Sequence, residues 1–174
     1  MKTCSFIGHR NVQETAELYE KLRTTVIRLI ENEKVGRFLF GSMSKFDELC
    51  LKTVTESKEE YPEIKRVYVR SQYPEITDYY KKCLLELYDD TFLPEGVENA
   101  GRASHIERNQ AMIKESDFCV FYYNADYNPA QRKYSKRDFS TYQPKSGTRL
   151  AYEYAQQKQR GGKEIEIINL FTAK

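Results

Sequence analysis

The sequence has almost no net charge. Its 28 Lys and Arg stand against 26 Asp and Glu, a formal +2, so no overall field draws the chain to nucleic acid or to a membrane surface. It has no apolar run near the ~18 residues that a membrane-spanning helix needs, which excludes a span. It has no paired cysteines. Cys4, Cys50, Cys83 and Cys119 are scattered, and no two share metal-ligand or redox spacing. Each lies in an apolar context, so four core thiols in a reducing cytoplasm are expected, with no metal site. The apolar part of residues 1–7 is too short for a secretory signal and reads as a first strand. There is no internal repeat, low-complexity tract or interdomain linker.

What is present describes an ordinary globular protein. The 174 residues suffice for one domain, 1–174, with a sizeable core, and hydrophobic residues make up 40% against 31% charged. Short apolar runs alternate with helix-length amphipathic segments. Strands are expected at 3–7, 37–40, 67–69, 118–123 and 165–170. Helices are expected at 14–32, after Ser44, at 79–88, at 104–114 and at 146–159. Ser44 with Asp47, and Ser104 with Glu107, read as capping boxes. Residues 89–99, with Pro94 and Gly96, read as a loop. The alternation implies an α/β, Rossmann-like three-layer sandwich: a mostly parallel sheet with helices on both faces. In such folds ligands bind outside the carboxyl ends of the strands, where the strand order reverses.

The unusual residues follow the strands. Gly8-His9-Arg10 closes the first strand. The glycine permits a tight turn, Arg10 offers a fork for phosphate or carboxylate, and His9 can donate, accept or shuttle a proton. Gly41-Ser42-Met43-Ser44-Lys45-Phe46-Asp47 runs from the second strand into a helix start, a natural anion site. It holds a single glycine and matches neither a Walker nor a dinucleotide fingerprint. Asp47 either complements the helix dipole or accepts a ligand hydroxyl. Arg108 and Asn109 are the notable polar residues of the helix at 104–114. Ser146-Gly147-Thr148 places two hydroxyls and a glycine at a helix start, which suits phosphate. Segment 124–145 mixes Tyr127, Tyr134 and Tyr142 with Arg132, Lys133, Lys136, Arg137 and Lys145. A loop of that length reads as a lid whose aromatics stack on a base.

Together these motifs resemble the SLOG superfamily of Rossmann-like proteins, which includes DprA and the lonely-guy phosphoribohydrolases. The opening Cys4-Ser5-Phe6-Ile7-Gly8-His9-Arg10 looks like that of its small bacterial and phage members. In the second half, His105-Ile106-Glu107-Arg108 is similar to the lonely-guy His-Glu-Arg helix. Ser146-Gly147-Thr148 stands where that group has its phosphate-binding Gly-x-Gly-Thr, and Arg108 matches the catalytic arginine. The sequence departs from the group in one respect. The position three residues after the threonine is Ala151, not glutamate, and Glu153 lies about 200° further round the helix. Asp47 is then the best substitute carboxylate. In the loop after the second strand Ser42 and Lys45 replace two DprA-type glycines, and Lys45 could supply charge.

The resemblance implies a small-molecule partner: a nucleoside phosphate or an ADP-ribose-like compound, sensed or sequestered at the carboxyl edge of the sheet. Gly8, His9, Arg10, Gly41, Ser42, Asp47, Arg108, Ser146, Gly147 and Thr148 would bind it. The alternative is a phosphoribohydrolase that cleaves the N-glycosidic bond of a nucleoside 5′-monophosphate, with Asp47 and Arg108 catalytic. DNA binding of the DprA kind has only the cations of 124–145 behind it, so nucleic acid is not an expected partner. No cofactor is called for, and a homo-oligomer is left open.

Overall fold

The computed structural model describes residues 1–72, 75–127 and 145–172. Among the described residues six strands and five α-helices follow one another as β1 Lys2–Gly8, α1 Ala16–Glu31, β2 Val35–Phe40, α2 Lys45–Ser57, β3 Lys65–Val69, α3 Asp78–Leu87, β4 Asp90–Phe92, α4 Ser104–Glu115, β5 Phe118–Tyr122, α5 Gly147–Arg160 and β6 Glu166–Asn169. The strands form one sheet in the order β4-β3-β2-β1-β5-β6. Every pairing is parallel. The sheet is therefore wholly parallel, and the expected α/β three-layer arrangement is what the chain adopts.

The pleat of the central strands explains the two layers of helix. Cys4 and Phe6 of β1, Phe38 and Phe40 of β2, and Phe118 and Val120 of β5 face one core. There they meet Leu18, Leu22, Val26 and Leu29 of α1 and Phe46, Leu49, Cys50 and Val54 of α2. Ile7, Leu39, Cys119 and Phe121 face the other core, against Met112 and Ile113 of α4 and Ala151 and Ala155 of α5. Strands buried on both faces read as unbroken apolar runs, which is the pattern of Phe118–Tyr122. Phe6 stacks between Phe38 and Phe40, with ring centres 5.9 and 5.3 Å away. Cys4, Cys50 and Cys119 are buried free thiols as expected. Cys83 is only half-buried, because α3 commits a single residue, Leu84, fully to the core.

Two local expectations change. Residues 89–99 are not all loop, since Asp90–Phe92 pairs with Val67–Val69 as an edge strand. Three residues are too few to show a period of two. Ser104 is not a cap. A 3₁₀ turn, Gly101–Ala103, runs straight into α4, so Ser104 already has helical dihedrals and its N–H bonds to the Gly101 carbonyl. The Ser44 cap forms as expected, and Ser146 caps α5 in the same way. The Ser44 hydroxyl accepts from the Asp47 N–H, and the Ser146 hydroxyl from the Arg149 N–H.

The topology fixes where a ligand can bind. From β1 the chain builds outward to β4, then returns to lay β5 against the other side of β1. The order reverses between β1 and β5, and there the carboxyl ends leave a crevice. His9 bridges that point: its N–H bonds to the Tyr122 carbonyl at 3.3 Å. Among the described residues no helix is long and apolar enough to cross a membrane.

Candidate functional site

A cleft of about 730 Å³ opens at this edge of the sheet. The residues after β1 (Gly8, His9, Arg10), the loop after β2 (Gly41, Ser42, Asp47), Arg108 of α4, and Ser146, Gly147 and Thr148 at the start of α5 all line it. Separated segments thus meet at one rim. The cleft also takes in Asn11, Met43, Ser44, Tyr68, Ser71, His105, Asn109 and Tyr127. Four of these had a visible signal: Ser44 as a cap, Tyr127 as an aromatic of the expected lid, and His105 and Asn109 beside Arg108. His105 and Asn109 lie three residues before and one after Arg108, and helical spacing puts 105 and 108 on one face. Tyr68 and Ser71 belong to no motif, because the strand expected at 67–69 ends without the glycine that marks the ends of the first two.

The two glycines serve close packing. Neither Gly8 nor Gly41 has a positive φ, so the expected tight turn is not what requires glycine at position 8. A Cβ on Gly8 would lie 2.3 Å from the Phe46 ring, and one on Gly41 would lie 2.7 Å from both Arg108 Nε and Met112 Sδ. Arg108 therefore lies flat across Gly41.

Arg108 is the principal charged group of the site. It is 5% exposed. Its NH1 donates to the Gly41 carbonyl, and its Nε and NH2 donate to Asn109 Oδ1 at 3.2 and 2.9 Å. None of these acceptors carries a formal charge. Among the described residues no carboxylate forms an ion pair with it. Burial pulls its pKa down, and Asp47 only offsets this at longer range. Arg10 lines the same cleft. Burial, and then the charges of Arg108 and Arg10, lower the His105 pKa and favour its neutral form.

Among the described residues Asp47 is the one carboxylate in the lining. It is occupied within its own loop. Its Oδ2 accepts from the Ser42 and Ser44 hydroxyls, both at 2.5 Å, and its Oδ1 from the Ser42 N–H at 3.3 Å. The α2 start is closed in the same way. The Lys45 N–H bonds to the Arg10 carbonyl at 3.1 Å, and the Asp47 N–H to the Ser44 hydroxyl at 3.1 Å. Asp47 and Glu48 in the first turn already complement the dipole. Lys45 is on the surface, paired with Glu48 at 2.7 Å.

Burial raises the Asp47 pKa despite the hydroxyl and amide donors, which act to lower it. A carboxyl with a raised folded-state pKa binds protons more readily folded than unfolded, so lowering the pH favours the native state. We therefore expect wild type to gain stability relative to Asp47→Asn as pH falls from 7 through the raised pKa. The gain should be complete below the ordinary value of 3.8. Urea melts of both proteins at a series of pH values check this. A constant difference would remove the buried, ionised carboxylate from the account.

The α5 start differs from that of α2. It has no acidic residue in its first turn. Among the described residues a Cβ on Gly147 would meet nothing within 4 Å, and Gly147 lines the cleft. The first N–H groups of a helix have no intrahelical acceptor. Ala151 is buried against the second core. Glu153 is turned away to the surface, where Lys145 and Arg149 hold it at 2.7 and 3.0 Å. Glu153 therefore does not replace the missing carboxylate.

His9 is 2% exposed. Its ring stacks on Tyr127 with centroids 4.0 Å apart and 18° between planes. The Asn124 N–H donates to Nε2 at 2.9 Å. Nδ1 is buried with no partner among the described residues. Leaving such a group unsatisfied costs about 1–3 kcal/mol. Burial also lowers the His9 pKa, which favours the neutral ring.

Of the expected lid, Tyr127 and Lys145 lie among the described residues. Arg132, Lys133, Tyr134, Lys136, Arg137 and Tyr142 lie outside them. Among the described residues no group of three or more His, Cys, Asp or Glu could hold a metal ion. No protein-family model matches the chain, and no curated protein matches it.

Proposed function

We propose that the cleft binds a nucleotide-derived small molecule, a nucleoside phosphate or an ADP-ribose-like compound, and that the protein senses or sequesters it. The observation that carries this reading is Arg108. A guanidinium this deeply buried, with no carboxylate paired to it among the described residues, is poised for an anion supplied from outside. Arg10 lies on the same cleft. The adjacent start of α5 presents Gly147 and Thr148 without an acidic residue, so it is the helix start that would take the phosphate. The loop before α2 keeps its donors for itself and would line the sugar. Tyr127 and Tyr68 supply ring surface within the cleft. A volume of about 730 Å³ falls in the range of small-ligand sites. The wholly parallel sheet accords with the SLOG resemblance. The buried Ala151 and outward Glu153 favour binding over glycosidic hydrolysis.

Native mass spectrometry of protein purified without added nucleotide should show a bound mass that denaturation releases. Separately, ligand at a hundredfold excess over Kd should stabilise the fold by about 2.7 kcal/mol. AMP and ADP-ribose are the first compounds to add in melts. No bound mass and no shift with either would overturn the reading. Free base released from AMP, and lost in Asp47→Asn, would move the protein to the hydrolase reading.

A further inference from the structure

The unpartnered ring nitrogen of His9 carries an inference that rests on the ligand-binding reading above and deepens it. The Asn124 backbone N–H can only donate, and it lies 2.9 Å from Nε2. A proton on Nε2 would set two hydrogens against each other. Nε2 therefore keeps its lone pair, even though the Asn124 carbonyl is 3.2 Å away. In a neutral imidazole the proton must then sit on Nδ1. That atom is a buried donor with nothing among the described residues to receive it, on a residue that lines the cleft. The backbone of the β5 exit thus selects the tautomer, and the stack on Tyr127 holds the ring plane.

We infer that His9 is a ligand-reading residue: its Nδ1–H donates to an acceptor oxygen of the bound compound, which supplies the partner the protein lacks. The acceptor is either a phosphate oxygen or a sugar or base oxygen of the same ligand. Arg108 supplies charge to this site, whereas His9 supplies a neutral donor of fixed direction. It discriminates by where the ligand has an acceptor and not by net charge.

Two substitutions separate this role from a structural one. Asparagine places an amide N–H near the position of Nδ1, and glutamine places an amide oxygen near the position of Nε2. If Nδ1–H reads the ligand, AMP affinity should fall at least about tenfold in His9→Gln, the lower end of the worth of one hydrogen bond to a charged acceptor. It should stay within about threefold in His9→Asn. If His9 merely anchors the Asn124 N–H, the order reverses. A reversed order, or equal affinities, overturns the inference.

The wild type offers a test that needs no variant to fold. It has only two histidines, so long-range ¹H–¹⁵N spectra resolve His9 with His105 as internal reference. His9 should show the Nδ1–H neutral tautomer at pH 7.5, and its Nδ1 resonance should move as AMP is added. A move with inorganic phosphate as well places the acceptor on phosphate, and a move with AMP alone places it on the nucleoside. An Nε2–H tautomer, or a silent Nδ1 in protein saturated with AMP, overturns the inference while leaving the ligand-binding reading intact. Failure of wild type to bind either compound sinks that reading and this one with it.

Discussion

Gly8→Ala should be among the most damaging single-methyl changes in this protein, lowering stability by about 3 kcal/mol. The added carbon would meet Phe46 Cδ1, Cγ and Cβ at 2.3, 2.5 and 2.7 Å. Contact with Phe46 Cβ means that rotating the ring does not relieve the clash. Phe46 itself is wholly buried, and its ring packs against Tyr122 with centroids 5.8 Å apart. Either α2 must lift from the sheet or the end of β1 must bend away from β5, where Gly8 pairs with Tyr122. Both movements loosen the cleft, because Lys45 and Arg10 join the same two elements by a backbone hydrogen bond. For a chain of this size the melting temperature should fall by roughly 6–12 °C. Gly147→Ala is the control, since its Cβ would enter open space and the melt should move little. A Gly8→Ala protein that melts within 2 °C of wild type would refute the close packing assigned here.

The same glycine shows what was legible in the sequence. Its importance was visible and its reason was not. Position 8 ends an apolar run and precedes two polar residues, which marks a strand end near a site. The need for a missing Cβ comes from Phe46, 38 positions later in the chain, and no local rule reports a contact across that separation. The helices α1 and α2, with α5, were legible because each buries a clean stripe at 3.6-residue spacing. Strand β4 was hidden by its three residues. The Ser104 cap failed because a 3₁₀ turn precedes it, and a capping motif does not encode how the chain arrives. The expected site residues line one cleft because parallel topology sends the post-strand loops to one edge. The roles within it were less legible. Whether Asp47 faces a ligand or its own loop depends on where the Ser42 and Ser44 hydroxyls turn, and one-dimensional spacing does not decide that.

Arg108→Met should weaken binding of an anionic ligand by about 10- to 100-fold while changing the unliganded fold little. The loss follows from one charge-assisted contact or more, each worth roughly 1.5–3 kcal/mol. The small effect on the free protein follows from two opposed terms. Removing the guanidinium abolishes the cost of a buried cation that has no ion pair among the described residues. It also takes a donor from the Gly41 carbonyl and two from Asn109 Oδ1. Methionine matches the length of the aliphatic stem and lies beside Met112, whose sulfur already approaches Gly41. A melting temperature within about 3 °C of wild type is the expected balance. Arg108→Lys separates charge from geometry. A single ammonium group on a flexible stem cannot span Gly41, Asn109 and an anion at once, so affinity should fall between wild type and methionine. Calorimetry with AMP and melts without it measure the two effects independently. Should Arg108→Met bind AMP as tightly as wild type, the buried cation is structural. If instead it unfolds, the Gly41 and Asn109 bonds outweigh the desolvation that burial imposes.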